Sequence, residues 1–337
     1  MLRRDILKVV PGSVLLSMTP NALRGGAAPV VAGSPKSLPV ILEHKKRETQ
    51  RDLSNLRKTL HPEALRVDPA ALKPKVGRAM IVESLKQELD KRAPLYFYIR
   101  QPKAMVFGQT EITIANYETG VKIDGKTVEM NGKVLYVSEL ASSSPLICAE
   151  VIVPNLNAGA YGSLGTALTP PESQFGIFPY RAVPPPDVQQ TSELTNKTEE
   201  ELYGTVQRIN ESWAKGDTKR LFEFYNPTGA FAMGDYSPFY LDGMAAVRDH
   251  FEDFYRSCKV DYIRSFDPVV RIYGDVALVA YSFDSQLEVS GAKVRSPGKS
   301  VYVFTRAANS ASSFLLAACD ESSIVYREIG DPYSAAS

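Results

Sequence analysis

The segment Gly132–Val137 reads GKVLYV, and the segment Gly298–Val303, much later in the chain, reads GKSVYV. Extended outward in the same register, residues 77–137 align with residues 243–303 without a gap, and 11 of these 61 pairs are identical. Chance pairing at ordinary residue frequencies would give about four identities. Similarity at a fixed spacing is the sequence signature of a repeated structural unit. We therefore predict that the chain is a tandem repeat.

Each unit is predicted to begin with helices. In the second unit, Thr198 and Glu201 have the spacing of a capping box ahead of an apolar helical stripe. Asp217 is predicted to cap a short second helix, and Asp242-Gly243 precedes a third. Each unit thus starts with about three helices.

Long runs rich in Val, Ile, Tyr and Phe follow these helices, and Gly274-Asp275 between two of them predicts a hairpin turn. Either Ser290-Gly291 or Pro297-Gly298 is predicted to make the next turn. The fold class is therefore α+β, with an antiparallel meander of about four strands after the helices of each unit. The predicted strands lie near residues 96–107, 111–123, 133–139 and 146–153 in the first unit, and near 261–273, 276–289, 300–305 and 314–319 in the second.

The length of 337 residues suits two domains. Residues 37–154 are predicted to form the first unit, 155–195 a Gly- and Pro-rich linker, 196–328 the second unit and 329–337 a tail. Residues 1–33 resemble a twin-arginine export signal through Arg3-Arg4 and the short apolar run 9–18, which is too short to span a bilayer. This predicts a periplasmic or secreted protein without a membrane anchor after signal removal. The alternative is a disordered basic N-terminus of a cytoplasmic protein.

The composition limits the classes of binding partner and cofactor that we expect for this protein. With 39 basic against 38 acidic residues, no excess charge favours nucleic acid or an acidic membrane surface. The three cysteines lack metal or disulfide spacing and are predicted to be small buried hydrophobic residues. The three histidines are scattered, and no glycine motif forms a phosphate loop. We therefore predict neither a metal nor a cofactor.

The second unit resembles a known family. The order of its features is similar to that of the nuclear transport factor two superfamily. These features are a helix ending in Trp213–Asp217 (WAKGD), a short helix, an aromatic strand, an Asp-Gly before the third helix, and the meander. The closer likeness is to SnoaL-like and ketosteroid-isomerase-like members. The resemblance implies a cone, in which a strongly curved sheet wraps the long helix and leaves an apolar pocket at the open end. The first unit resembles the family mainly through the repeat, because its first helix, predicted around residues 43–60, is highly charged and lacks the tryptophan.

The isomerase members of this family imply a catalytic set that this chain does not match. The tyrosine of their first helix is replaced by Ile209, and the later acid falls near Val301. Asp235 lies about one residue from the position of the proton-shuttling acid, and a slip of one residue on a strand turns a side chain to the opposite face. The resemblance therefore does not extend to ketosteroid isomerisation.

Two residues remain as catalytic candidates. His250 lies on the apolar face of the third helix, where it is either a general base or a hydrogen-bonded core residue. Asp235 is either an acid or base beside the pocket or part of a loop. The candidate ligand-binding residues of the second-unit pocket are Trp213, Tyr240, Phe251, Phe254 and Tyr302.

Two classes of function are open. The first is a non-catalytic protein that binds a small hydrophobic ligand in the second unit or serves in assembly. In this interpretation the two units of the chain associate sheet to sheet as an intramolecular pseudo-dimer. A homodimer is the alternative. The second is an isomerase, cyclase or dehydratase that uses His250 or Asp235 as general base. A third interpretation, in which the first unit only shields the sheet of the second, predicts a filled first cone.

Overall fold

The structure is a computed structural model. It describes residues 34–68, 74–123, 125–141, 144–155, 194–227, 229–234, 239–289, 292–306 and 314–323. The predicted export signal, the predicted tail and nearly all of the predicted linker lie outside these ranges. The described elements of both units lie inside the predicted unit boundaries.

The first unit contains three helices and six strands, with one 3₁₀ turn at Arg57–Thr59. Its helices are α1 (Leu38–Thr49), α2 (Leu53–Leu56) and α3 (Arg78–Lys91). Its strands are β1 (Leu60–Val67), β2 (Lys75–Val76), β3 (Ala93–Phe107), β4 (Thr110–Ile123), β5 (Lys126–Glu139) and β6 (Leu146–Pro154).

The second unit has the same order of elements. Its helices are α4 (Lys197–Ala214), α5 (Thr218–Glu223) and α6 (Met244–Ser257). Its strands are β7 (Phe231–Gly234), β8 (Leu241–Asp242), β9 (Cys258–Tyr273), β10 (Val276–Val289), β11 (Ala292–Arg306) and β12 (Phe314–Ser323).

The two sheets have equivalent strand orders, β2-β1-β6-β5-β4-β3 and β8-β7-β12-β11-β10-β9. The α+β class and the antiparallel meander of four long strands are therefore confirmed. Each sheet has six strands rather than about four, because two further strands before the third helix join its edge. β1 runs parallel to β6, and β7 runs parallel to β12. Strands as short as β2, β7 and β8 carry too little periodicity for the sequence to reveal them.

Several local predictions can be compared with the structure. The turn at Gly274-Asp275 is confirmed, since Tyr273 pairs with Val276 and Gly274 has a φ of 58°. Pro297-Gly298 is not a turn, because both residues pair with β10 inside β11. The capping box at Thr198 is wrong, since Asn196 caps α4 by accepting a hydrogen bond from the Glu199 amide at 3.1 Å.

The charged first helix also differs from the prediction. It spans Leu38–Thr49 rather than residues 43–60, and a separate short helix follows it. The break occurs at Arg51, whose φ of 58° is left-handed, and Asp52 then caps the next helix through the Asn55 amide. Asp217 caps α5 in the same way through the Arg220 amide, as predicted.

The two units repeat unusual backbone conformations at positions that the sequence alignment pairs. Gly77 and Gly243, which precede the third helix of each unit, have φ values of 88° and 89°. Gln101 and Asp267 have φ values of 50° and 49°, although left-handed conformations are uncommon outside glycine. The likeness of the two units therefore extends to the backbone at single positions.

The sheets pack against each other through one face and against helices through the other. In β4, Ile112 and Ile114 belong to a buried cluster shared with the second sheet, whereas Ala115 and Tyr117 contact the helices of the first unit. β10 divides in the same way, with Leu278 facing the first sheet. Both faces of these strands are therefore buried, which explains why the strands are apolar on both sides.

The polar contacts across this interface are reciprocal. Lys133 of the first unit donates a hydrogen bond to the main-chain oxygen of Gly234 in the second. Lys299 of the second unit donates to the main-chain oxygen of Asp68 in the first at 3.0 Å. The two lysines are 166 residues apart in the sequence, and so are their two acceptors. The contact is therefore isologous, as at a two-fold dimer interface.

Among the described helices, none is long and apolar enough to cross a membrane.

Candidate functional site

The first unit contains a cavity beside its first helix. The start of α1 is fixed to the sheet because the buried carboxylate of Glu111 on β4 accepts hydrogen bonds from the amides of Lys36 and Ser37, at 2.9 and 2.8 Å. A carboxylate at a helix N-terminus also interacts favourably with the helix dipole. His44 and Lys45 of this helix are buried inside the first unit, and Glu48 and Thr49 in its last turn line the cavity.

The cavity has a volume of about 60 Å³. At roughly 10–15 Å³ per water molecule, it has room for about four waters or a ligand group of similar size. One part of its lining is apolar and includes Leu89, Phe97, Tyr117, Val121 and Ile152. The other part is charged and consists of Lys45, Glu48, Arg66, Asp68 and Arg92.

We call the seven residues Lys45, Glu48, Arg66, Asp68, Glu88, Arg92 and Glu150 the charged cluster. Lys45 joins two carboxylates, since its Nζ lies 2.5 Å from Glu150 Oε1 and 2.8 Å from Glu48 Oε2. Its ammonium also lies 4.6 Å from the centre of the Phe97 ring. All three hydrogens of this ammonium thus have neighbours that attract them.

Arg66 lies on β1 and has an exposed side-chain fraction of 2%. Its Nη2 donates to Asp68 Oδ2 at 2.9 Å, and its Nε lies 3.5 Å from Glu150 Oε2 without the geometry of a hydrogen bond. Nε and Nη1 have no hydrogen-bond partner among the described residues. A buried donor without a partner costs free energy, so the position of Arg66 is held by its ion pairs in spite of these two atoms.

The cluster changes the pKa values of its members in opposite directions. Burial alone would raise the pKa of Glu150, but Lys45 and Arg66 hold it below its ordinary value. Burial would lower the pKa of Lys45, but Glu150 and Glu48 raise it. Burial raises the pKa of Glu88, and Arg66 only partly offsets this. Glu88 therefore takes up a proton more readily than Glu48 or Glu150 does.

His44 lies next to the cluster and is fully buried. Its Nδ1 is 2.8 Å from Thr59 Oγ1, and the Thr59 hydroxyl donates to the Leu56 main-chain oxygen at 2.6 Å. Nδ1 therefore carries the hydrogen, and the lone pair is on Nε2, which lacks a hydrogen-bond partner in the described structure. Burial lowers the pKa of His44 to about 4, so the ring is neutral at neutral pH.

His44 Nε2 and the carboxylates of Glu48 and Glu150 lie within 4.8 Å of one another, a spacing that could hold a metal ion. The Lys45 ammonium already bridges the two carboxylates, however, and a divalent ion there would meet its positive charge. The sequence predicted no metal site because its histidines are far apart. The fold brings His44 close to Glu48 and Glu150, and the Lys45 ammonium occupies the position between the two carboxylates that a metal ion would take.

Aromatic side chains make up much of the core of the second unit. Trp213, Phe251 and Tyr302 belong to this core, with exposed fractions of 7, 7 and 3%. Phe254 stacks on Trp213 with ring centres 5.3 Å apart. The structure thus brings four of the five predicted ligand-binding residues together, and their role in binding a ligand stays a prediction.

The fifth residue, Tyr240, lies at the interface between the units. Its hydroxyl donates to the main-chain oxygen of Gln101 at 2.7 Å, and its ring meets the edge of Phe231. Of the catalytic candidates, Asp235 lies outside the described residues. His250 is partly buried on α6, where burial lowers its pKa and the nearby Asp253 opposes this effect. The roles of His250 and Asp235 stay predictions.

An equivalent tyrosine shows how the two interiors differ. In the second unit Tyr302 donates to Asn210 Oδ1 at 3.3 Å. In the first unit the matching Tyr136 donates to Glu150 Oε1 at 3.0 Å. The same position thus meets a neutral amide in the filled cone and a carboxylate in the cone with the cavity.

The charged cluster escaped the sequence analysis, although the sequence contains a signal for it. Glu150 is a lone charge in the apolar strand LICAEVIVP, and Arg66 follows Ala64-Leu65 in another buried strand. Charged residues are rarely fully buried unless they are paired, so an acid and a base in two such strands suggest a buried pair. The partners on α1 were hidden, because a charged helix resembles a solvated one in sequence.

No protein-family model matches the sequence, and no curated protein matches it either. Among solved structures, the chain is similar to a ketosteroid isomerase-like protein from Erwinia carotovora atroseptica, with 14% identity, coverage of 39% of this chain and 98% of that chain, and a TM-score of 0.35. It is also similar to a nuclear transport factor 2 (NTF2-like) superfamily protein from Salmonella enterica, with 13% identity, coverage of 40% and 96%, and a TM-score of 0.35. The beta subunit of benzoate 1,2-dioxygenase from Burkholderia mallei gives 10% identity, coverage of 34% and 86%, and a TM-score of 0.31. These neighbours are NTF2-like and ketosteroid isomerase-like proteins, and likeness at such identities concerns the fold alone.

Proposed function

We propose that the protein binds a small molecule in the cavity of the first unit. The observation that carries this proposal is the cavity itself, which has apolar side chains on one side and the charged side chains of Lys45, Glu48, Arg66, Asp68 and Arg92 on the other. Such a lining can contact both an apolar and a polar part of one ligand. This proposal places the site in the first unit, whereas the sequence prediction places it in the second.

The second unit then has a structural role. Its interior is closed by aromatic packing, and its sheet covers the sheet of the first unit through a shared apolar cluster. We infer that the two units arose by tandem duplication and associate as an intramolecular pseudo-dimer. The equal strand orders and the reciprocal lysine contacts support this inference.

The site can be tested by filling the two cones in turn. Val121 lines the cavity with an exposed fraction of 4%, and its counterpart in the alignment of the two units, Leu287, packs on the core of the second unit. Val121→Phe adds a ring to the cavity, and Leu287→Phe adds one to the filled cone. Each overpacked variant is expected to lose about 1–3 kcal/mol of unfolding free energy, so the pair is matched for stability.

The measurement is mass spectrometry of small molecules retained by the full chain purified from its native compartment. We expect the wild type and Leu287→Phe to retain the same molecule and Val121→Phe to lose it. Retention by Val121→Phe together with loss in Leu287→Phe would move the site back to the second unit. If all three proteins retain nothing, the binding function is contradicted.

A second candidate is catalysis in the second unit by His250 or Asp235, acting as isomerase, cyclase or dehydratase. The observation that favours it is the position of His250, which is partly buried on α6 with its ring 6.0 Å from that of Phe251, a predicted ligand-binding residue. His250→Gln with unchanged ligand binding and turnover would remove His250 from this role.

We also propose that the protein is exported through the twin-arginine signal. The support is the Arg3-Arg4 motif ahead of a short apolar run. Arg3→Lys/Arg4→Lys should leave the protein in the cytoplasm on cell fractionation. Unchanged export of this double variant would contradict the proposal.

A further inference from the structure

We propose that the Tyr117 hydroxyl is the hydrogen-bond donor that holds the ligand in the cavity of the first unit, and that the ligand carries a carbonyl-type oxygen on a short apolar group. This inference rests on the proposed binding function and narrows the ligand to a chemical class. The class includes neutral carbonyl compounds and carboxylates, which share this acceptor oxygen.

The Tyr117 side chain lines the cavity, and the residue is 4% exposed. Its hydroxyl has no hydrogen-bond partner among the described residues, although Asp68, Arg92 and Glu150 lie close enough to change its pKa. Nε and Nη1 of Arg66 are enclosed as well as unpartnered, whereas the Tyr117 hydroxyl keeps accessible surface. A buried hydroxyl that is unpartnered and accessible from a cavity indicates a place for a ligand atom.

The packing of the Tyr117 ring fixes the position of this hydroxyl. The rings of Phe97 and Tyr117 stack with centres 5.1 Å apart and an angle of 14° between their planes. On the neighbouring strand β5, Gly132 leaves room for the ring, since a Cβ there would lie 2.8 Å from Cε1 of Tyr117. A donor that is held in place before the ligand arrives loses little conformational entropy on binding.

Tyr117 and a neighbouring arginine both offer donors to the cavity. Burial raises the pKa of Tyr117, and Asp68 raises it further, so the hydroxyl keeps its hydrogen at neutral pH. Arg92 also lines the cavity and donates through Nη2 to Glu88 at 2.6 Å. Its Nε and Nη1 have no partner in the described part of the chain and remain accessible. Because arginine only donates, an acceptor oxygen on the ligand suits both side chains.

The second unit lacks this hydroxyl. In the alignment of the two units, Tyr117 corresponds to Phe283, which belongs to the core of the second unit with an exposed fraction of 4%. A phenylalanine ring therefore packs at the equivalent position of the same fold. The phenol oxygen of Tyr117 is thus not needed for packing, and Tyr117→Phe should remove it with little effect on the fold.

Four probes test the ligand class: 2-butanone, propionate, 2-methylbut-1-ene and butylammonium. Each has five non-hydrogen atoms, which is about the size that a cavity of about 60 Å³ admits. The first two carry a carbonyl-type oxygen, the alkene has a methylene group in its place, and butylammonium can only donate. We expect 2-butanone or propionate to bind the full chain at least about fivefold more tightly than the alkene and butylammonium, in ligand-observed NMR titrations at neutral pH.

The tighter of the two oxygen probes assigns the oxygen to a neutral carbonyl compound or to a carboxylate, and either result supports the ligand class. Equal or tighter binding of 2-methylbut-1-ene or butylammonium would overturn the ligand class while leaving the cavity as a binding site. Binding of none of the four would overturn both the ligand class and the proposed function.

The role of the hydroxyl is tested with Tyr117→Phe, which should bind the oxygen probes about fivefold more weakly than the wild type and the alkene equally well. The control is Tyr273→Phe, because the Tyr273 hydroxyl donates to the main-chain oxygen of Glu63 at 2.7 Å and lies away from the cavity. The control should keep wild-type binding, and its melting temperature should fall further than that of Tyr117→Phe. Unchanged binding of both oxygen probes in Tyr117→Phe would overturn the proposal.

A measurement on the wild type covers the case in which Tyr117→Phe does not fold. A hydrogen bond to a carbonyl oxygen deshields the carbonyl carbon, so the ¹³C resonance of bound 2-butanone, labelled at that carbon, should stay near its position in water. A resonance that moves upfield to its position in a hydrocarbon solvent would show that no donor contacts the oxygen, and this would overturn the proposal.

Discussion

Lys299 connects the interface of the two units to the cavity of the first. Its Nζ donates to the main-chain oxygen of Asp68 at 3.0 Å, and the carboxylate of the same Asp68 accepts a hydrogen bond from Arg66 at 2.9 Å. The equivalent Lys133 donates to the main-chain oxygen of Gly234, which has no side chain, and to Asn155 Oδ1 in its own unit at 2.5 Å. Of the two reciprocal contacts, the one made by Lys299 therefore reaches the charged cluster, and the acceptors described for Lys133 are neutral.

This asymmetry gives a matched pair of variants, Lys299→Met and Lys133→Met. Lys299→Met removes the hydrogen bond to Asp68, and Lys133→Met removes those to Gly234 and Asn155. Both should lower the free energy of unfolding by about 1–3 kcal/mol in denaturant titrations. Only Lys299→Met removes a cation from beside a carboxylate of the charged cluster, so its loss should grow by about 1 kcal/mol when the salt concentration is lowered.

The loss in Lys133→Met is expected to depend little on salt, because its described acceptors are neutral. Equal salt dependence of the two losses would show that Lys299 does not contribute to the electrostatics of the charged cluster.

His44 should make the stability of the protein depend on pH. Burial lowers its pKa in the folded state to about 4, against an ordinary value of 6.5. Between these values the unfolded chain binds a proton that the folded chain does not, so the free energy of unfolding is complete above pH 6.5 and falls as the pH approaches 4. The loss should total about 3 kcal/mol. In His44→Gln this part of the slope should disappear in urea titrations across the same range.

Glu88 acts in the opposite sense, because burial raises its pKa and protonation then favours the folded state. It is present in both proteins, so the difference between wild type and His44→Gln isolates His44. A His44→Gln protein with an unchanged slope would contradict the assignment.

Removing the lysine from the charged cluster should create a metal site. In Lys45→Met the group of His44, Glu48 and Glu150 loses the ammonium that bridges its two carboxylates. The uncompensated carboxylates should lower the unfolding free energy by about 3–5 kcal/mol, and Zn²⁺ should restore part of it. Thermal unfolding with and without Zn²⁺ measures this, and the melting temperature of the wild type should not rise.

The double variant Lys45→Met/His44→Gln lacks the nitrogen ligand and should lose most of the Zn²⁺ effect. Equal stabilisation of the wild type by Zn²⁺ would mean that Lys45 does not occupy the position of the ion.

Gly132 is predicted to tolerate no side chain. A Cβ there would lie against the main-chain oxygen of Val153, 2.8 Å from the Cα of Pro154 and 2.8 Å from Cε1 of Tyr117. Because the first two obstacles are backbone, Gly132→Ala should cost more than about 2 kcal/mol of unfolding free energy. Gly234→Ala, where a Cβ would meet nothing within 4 Å, should change it by less than about 0.5 kcal/mol. Similar costs for both variants would contradict the packing of β5 on β6.

The repeat and the strand pattern predicted most of the fold. The long strands, the hairpin at Gly274 and the cap at Asp217 depend on local sequence, and the structure contains all three. The cavity depends instead on which residues of α1, β1 and β6 meet, and no local pattern encodes such a meeting. Glu150 stands out as a charge in an apolar strand, but its partner Lys45 does not, because the sequence of a charged helix with one buried face resembles that of a solvated helix.

The reciprocal contacts of Lys133 and Lys299 join two interiors that are not alike. In a homodimer each substitution is made twice, so neither subunit can acquire a residue that the other lacks. A covalent pair has no such constraint: when the two units are aligned, His44 corresponds to Ile209, and Arg66 corresponds to Ala232. The second unit can therefore keep an apolar core that stabilises the whole chain. The first unit can then carry buried ionisable groups, which would destabilise such an apolar core.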